Sequence, residues 1–82
     1  MREIEWTESA LEDVATLDKG TARRVKQAVE RFADTGAGNV KRLQGLDPPE
    51  YRLRVGDYRV RFYQGGETIQ VLRVRNRREA YR

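Results

Sequence analysis

Apolar and polar positions alternate in REIEW (residues 2–6), where Ile4 and Trp6 are flanked by charged residues, and this predicts a short strand. The period then lengthens. Leu11, Val14, Ala15 and Leu17 recur at helical spacing, with Thr7 or Ser9 as the N-cap, Glu8, Glu12 and Asp13 near the positive end, and Lys19-Gly20 as the stop. A second helix is expected from Thr21. Ala22, Val25, Ala28, Val29, Phe32 and Ala33 form its apolar stripe, and Gly36 follows its last turn. Both stripes read as core. Gly36 to Asn39 reads as a loop, Val40 to Leu43 as a strand, and Gln44 to Glu50, with Gly45 and Pro48-Pro49, as irregular.

From residue 51 the period is two. YRLRVGDYRVRFY (51–63) divides at Gly56-Asp57, a two-residue hairpin turn between Tyr51–Val55 and Tyr58–Tyr63. That turn sets the register: Val55 faces Tyr58, Leu53 faces Val60, and Arg54 faces Arg59. Cross-strand partners share a face, so Arg52, Arg54, Arg59 and Arg61 fall together. Like charges placed opposite one another destabilise a sheet, which argues for an anionic ligand rather than a merely solvated surface. After the turn at residues 64–67, Thr68 to Arg75 forms the last strand, and an Arg-rich tail ends in Tyr81-Arg82. The expected architecture is α+β and a single domain over residues 1–82: an N-terminal strand, a helical hairpin, then an antiparallel β-meander. The order is β-α-α-β-β-β-β, with the helices covering one face of an antiparallel sheet.

Charge sharpens this picture. Residues 52–82 carry nine Arg and no Lys against Asp57, Glu67 and Glu79, a net +6; residues 1–51 carry eight basic and ten acidic residues, a net −2. Arg presents a planar fork suited to phosphate, so the C-terminal half reads as a polyanion-binding surface. With no Cys and no His among 82 residues, disulfides, thiolate metal sites, most zinc chemistry and His-based acid–base catalysis are excluded. No cofactor or metal is expected. The absence of a long apolar run or signal-like N-terminus points to a cytoplasmic protein.

The helical hairpin, VKRLQGL (40–46), YRLRVGDYRVRFY and VLRVRNRREAYR (71–82) together resemble the RelE/ParE superfamily of toxins from bacterial and archaeal toxin–antitoxin systems, across essentially the whole chain. The RelE branch is the nearer one, since both hairpin strands and the terminal Arg/Tyr group are kept. That resemblance implies a ribosome-dependent mRNA endonuclease, in which the ribose 2′-OH of an A-site codon attacks the adjacent phosphate and translation stops. Arg52 and Arg54 then match the two basic residues of the first hairpin strand, and Arg59 the Arg after the turn Tyr. Arg77 matches the Arg of the terminal motif, with Arg78 as the competing alignment, and Tyr81 the Tyr near the end. Arg54, Arg59, Arg77 and Tyr81 are thus the expected catalytic residues, and Arg52, Arg61, Arg75, Arg78 and Arg82 the expected RNA-binding ones.

Two departures bear on mechanism. Some RelE relatives have Lys where Arg54 stands, and many have His where this chain has Asn76. Arg does not serve as a base, its pKa being above about 12, so the base stays open among Glu50, Glu79 and Tyr63 or a group outside the protein. The ParE branch, which poisons DNA gyrase without nuclease chemistry, and a catalytically weak RNA-binding relative are the alternatives. The resemblance also implies a small acidic antitoxin as partner, the ribosome with its mRNA as target, and operator DNA reached only through the antitoxin complex.

Overall fold

The computed structural model of the protein describes residues 1–80. The alternating segment forms strand β1 (Glu3–Trp6). Thr7 ends it in an extended conformation and caps helix α1 (Glu8–Ala15), its Oγ1 accepting from the Ala10 N–H at 3.1 Å. This helix buries only Ala10 and Val14; Leu11 is 53% exposed and Ala15 is also exposed, so the core stripe is narrower than the spacing suggests. Helix α2 (Lys19–Thr35) opens earlier than expected. Asp18, not Thr21, is its N-cap, accepting from the Thr21 N–H at 3.3 Å, so Lys19-Gly20 starts a helix instead of stopping one. Val25, Val29, Phe32 and Ala33 form its buried stripe, and Gly36 closes it in the left-handed region at φ 76°, a conformation that costs Gly little.

Strands β2 (Asn39–Arg42), β3 (Tyr51–Val55), β4 (Tyr58–Gly65) and β5 (Thr68–Asn76) complete a five-stranded sheet in the order β1-β5-β4-β3-β2. The sheet is mixed rather than wholly antiparallel, because β1 lies parallel to β5, from Glu3 opposite Thr68 to Trp6 opposite Val71. The helical pair carries the chain to the far edge, and three reversals from β2 then leave β5 running in the direction of β1. No hairpin joins β1 to its neighbour, so nothing forces an antiparallel pairing. A short helix α3 (Arg77–Ala80) stands in the Arg-rich tail, to which the sequence reading assigned no element. Asn76 Oδ1 accepts from the Arg78 N–H at 3.1 Å, and the Arg77 N–H bonds Asp57 O at 2.7 Å, which fixes the start of α3 beside the β3–β4 turn.

Both long helices pack on one face of the sheet. Ala10, Val14, Val25, Val29 and Phe32 meet Leu53, Val60, Phe62, Ile69, Val71 and Val74 there, with the rings of Phe32 and Phe62 5.3 Å apart. Each fully buried Val or Phe of this layer contributes roughly 1.5–3 kcal/mol. The strand positions that alternate with the core are left for the opposite face. No helix among the described residues is long and apolar enough to cross a membrane.

Candidate anion-binding site

The β3–β4 hairpin has the register expected from its turn: Arg54 lies opposite Arg59 and Arg52 opposite Arg61. Gly56 alone takes positive φ, 58°, and Asp57 does not, the pattern of a II′ turn whose twist suits the flanking strands. The neighbouring strands lengthen both pairs into rows. One row runs Lys41, Arg52, Arg61, Arg73; the other runs Asn39, Arg54, Arg59, Arg75. At about 4.8 Å between strands, three Arg backbones of the second row span about 10 Å.

Arg73 and Arg75 join these rows because of an irregularity. Phe62 pairs with Val71, but Arg61 pairs with Arg73, leaving Leu72 as the extra residue of a bulge in β5. Strict alternation from Ile69 and Val71 would have turned Arg73 into the core. The bulge instead buries Val74 and returns Arg73 and Arg75 to the polar face. Adjacent apolar residues Val71-Leu72, within an otherwise alternating run, are the sequence signal for it.

The rows differ in what neutralises them. In the first, Arg61 Nε donates to Glu50 Oε2 at 2.8 Å and its Nη2 donates to the same oxygen. Arg73 grips Asp13 of α1 with both arms, Nε to Oδ2 at 2.8 Å and Nη2 to Oδ1 at 3.0 Å, while the Val74 N–H donates to Oδ2 at 2.9 Å. Burial acts to raise the Asp13 carboxyl, but the hydrogen bonds from Arg73 and Val74, with the charges of Arg73 and Arg75, hold it below its ordinary value. Among the described residues, no carboxylate forms an ion pair with Arg54, Arg59 or Arg75.

Arg59 is the unusual member. It is only 6% exposed, its Nη1 donates to the carbonyls of Gly56 (3.0 Å) and Tyr58 (3.1 Å), and its buried Nε has no partner among the described residues. A buried cation satisfied by carbonyls alone and lacking a counter-ion is costly, so the site favours an anion. Backbone placement brings the other expected residues to the same end of the sheet. Arg54 is exposed on β3, Arg75 half-buried on β5, and exposed Arg77 and Arg78 open α3 beside the turn. Arg24 of α2 also reaches this turn: a Cβ added to Gly56 would stand 3.2 Å from its Nη2. The sequence reading passed over Arg24 because helical periodicity gives no sign of which exposed residue faces a distant turn.

Other expected residues lie apart. Arg52 and Arg61 sit one pleat away in the neutralised row. Glu50 and Tyr63, two of the named bases, are at the opposite end of the face, Tyr63 being four residues or about 13 Å along β4 from Arg59. Glu50 is already the partner of Arg61. Tyr81 and Arg82 lie outside the described residues.

Residues 4–81 match the family model described as the ParE toxin of a type II toxin–antitoxin system, parDE. The chain belongs to that toxin family. Among solved structures, the fold is similar to the RelB–RelE antitoxin–toxin complex of Methanococcus jannaschii, with TM-score 0.77 and 23% identity over 94% of each chain. It is also similar to the Escherichia coli RelBE complex, TM-score 0.71 and 19% identity over 93% of this chain and 96% of that one. The chromosomal ParDE system of Pseudomonas aeruginosa matches with TM-score 0.63 and 22% identity over 93% and 96%. No curated protein sequence matches the chain. The protein is a toxin of the RelE/ParE superfamily, and the fold is RelE-like.

Proposed function

We propose that this toxin is an mRNA endonuclease that acts on the translating ribosome, cleaving by attack of a ribose 2′-OH on the adjacent phosphate. The observation that carries the reading is the row Arg54–Arg59–Arg75, cationic, in no ion pair with a carboxylate among the described residues, and centred on a buried guanidinium whose Nε has no partner among them. Negative charge grows on the phosphate oxygens as the pentacoordinate state forms, and fixed guanidinium donors stabilise it most where water is excluded. Arg54, Arg59 and Arg77 hold the scissile phosphate in this scheme. Arg52, Arg75, Arg78 and Arg82 bind the RNA on either side, while Arg61, already held by Glu50, adds little, and Tyr81 protonates the 5′-oxygen leaving group. Glu50 and Tyr63 stand too far from Arg59 to take the 2′-OH proton, which leaves Glu79 of α3, the ribosome or the RNA as the acceptor, and cleavage is strictly ribosome-dependent in this scheme. No metal or cofactor enters the scheme. An acidic cognate antitoxin, which would neutralise the Arg rows, is the partner, in keeping with the antitoxin–toxin complexes among the structural neighbours.

Primer extension on a defined message in a reconstituted translation system tests this. Cuts inside A-site codons are expected with ribosomes, and none on naked RNA; comparable cutting of naked RNA contradicts the dependence. The match to the ParE family model favours a second reading, inhibition of DNA gyrase without RNA chemistry. Loss of gyrase supercoiling at toxin concentrations that leave translation untouched would establish it instead.

A further inference from the structure

A cavity of about 450 Å³ opens beside the unpaired row, between α2 and β3. Its size falls in the roughly 300–1,000 Å³ range of small-ligand sites. Gln27, Ala28 and Arg31 line it from one face of α2, where residues three and four apart are neighbours, and Leu53 and Arg54 line it from β3. Ala37 and Gly38 complete the wall. Gly38 leaves room that a side chain would remove: at φ 151° an added Cβ would lie 2.9 Å from Leu53 Cδ1. The result is an apolar floor with a guanidinium on either side and one side-chain amide at the rim. Among the described residues, neither Arg31 nor Arg54 is ion-paired to a carboxylate.

Arg54 belongs both to this cavity and to the row with Arg59 and Arg75. Because the row lies on the face opposite α2, a strand that follows the row reaches the cavity mouth by turning around β3 at Arg54. We infer that the cavity is a nucleotide subsite: it takes one unstacked base of the RNA strand, with Arg31 and Arg54 on the flanking phosphates. The floor of Ala28, Ala37 and Leu53 receives the flat face of a base, and a guanidinium plane stacks on it. The Gln27 amide, with two donors and one acceptor, meets the base edge and discriminates among bases. This site lies beyond the phosphate-binding row and gives the toxin a base preference of its own. The inference rests on the RNA reading of the row.

Binding of fluorescently labelled tetraribonucleotides to the full chain tests it, each oligonucleotide carrying an abasic site at a different position. One abasic position is expected to weaken binding about fivefold, the lower end of what a stacked base contributes. Filling the cavity with Ala37→Phe or Gln27→Trp, folding being checked by circular dichroism, is expected to abolish that difference, and Arg31→Ala to weaken binding of every oligonucleotide several-fold. Gln27→Ala should keep the stacking effect and flatten the preference among the four bases. If the wild-type chain binds no RNA, the functional reading falls and this inference with it. If it binds RNA but is indifferent to every abasic position, or the filled variants keep the full abasic effect, only the subsite is overturned. The subsite is also overturned if the filled variants bind RNA like the wild type but lose an acidic helical peptide; the cavity then serves a protein partner.

Discussion

The two Arg rows are one pleat apart, built from the same strands and nearly the same residue types, yet they are different electrostatic objects. Arg61 and Arg73 each face a carboxylate held by the fold, Glu50 at the entrance of β3 and Asp13 on α1. Among the described residues, Arg59 has only backbone carbonyls and an unpartnered Nε. Local counter-ions, more than the count of cations, therefore decide which guanidiniums are left for a ligand. A paired guanidinium ties elements together, whereas an unpaired buried one is poised for a ligand's charge.

The largest contrast is expected from removing one guanidinium from each row. Arg59→Ala should lower ribosome-dependent cleavage by about 10²–10³-fold, the effect of deleting one preorganised donor to a transition-state charge. Arg59→Lys should recover only part of this, because it keeps the charge and loses the fork. Arg61→Ala should change cleavage by less than tenfold and act mainly on thermal stability. Equal losses of cleavage in the two Ala variants, with both folded, would erase the functional distinction between the rows.

Asp13 provides the next test, on stability alone. Its carboxylate takes two hydrogen bonds from Arg73 and one from Val74, so Asp13→Asn should destabilise the fold by about 2 kcal/mol in urea titrations. Because its folded pKa lies below the unfolded value near 3.9, its contribution is complete above that value and is lost as pH falls through the folded one. The wild-type chain should therefore lose this increment of stability only in acid, below about pH 4, and Asp13→Asn should show a shallower decline there. A decline that is unchanged in the variant would mean that Arg73 is not held through this carboxylate.

Much of the Arg arrangement was legible in the sequence because a two-residue turn and a period of two leave little freedom. Gly56-Asp57 determines that Arg54 meets Arg59, and the structure has that register. The fold class was legible for the same reason, since apolar periods and Gly36 mark the long elements. What escaped depended on long-range placement. Asp13 read as a helix-start acid, and its role as the partner of Arg73 needs α1 to pack beside β5, sixty residues away. The bulge at Leu72 hid Arg73 from an alternation argument, whereas Arg75 had been expected as an RNA-binding residue. The parallel pairing of β1 and the cap at Asp18 are likewise choices that propensity leaves open.

The counter-ion argument also predicts a gain. Glu50→Gln removes the negative charge beside Arg61 while keeping a hydrogen-bond acceptor, so Arg61 becomes available to phosphate. Affinity for a short oligoribonucleotide should then rise about threefold at low salt, a magnitude typical of one partly exposed ion pair exchanged for another. The salt dependence should show the same change in smaller form. Single strands lose about 0.7 in the slope of log K against log salt for each phosphate neutralised. The three Arg of the unpaired row thus contribute about −2 to the wild-type slope, which should steepen by about 0.7 in Glu50→Gln and become shallower by a similar amount in Arg75→Ala. Arg61→Ala should leave it within error, since a guanidinium already neutralised by Glu50 releases few ions when RNA binds. If Arg61→Ala and Arg75→Ala shift the slope equally, the carboxylate beside Arg61 does not screen it from the ligand, and the two rows act as one.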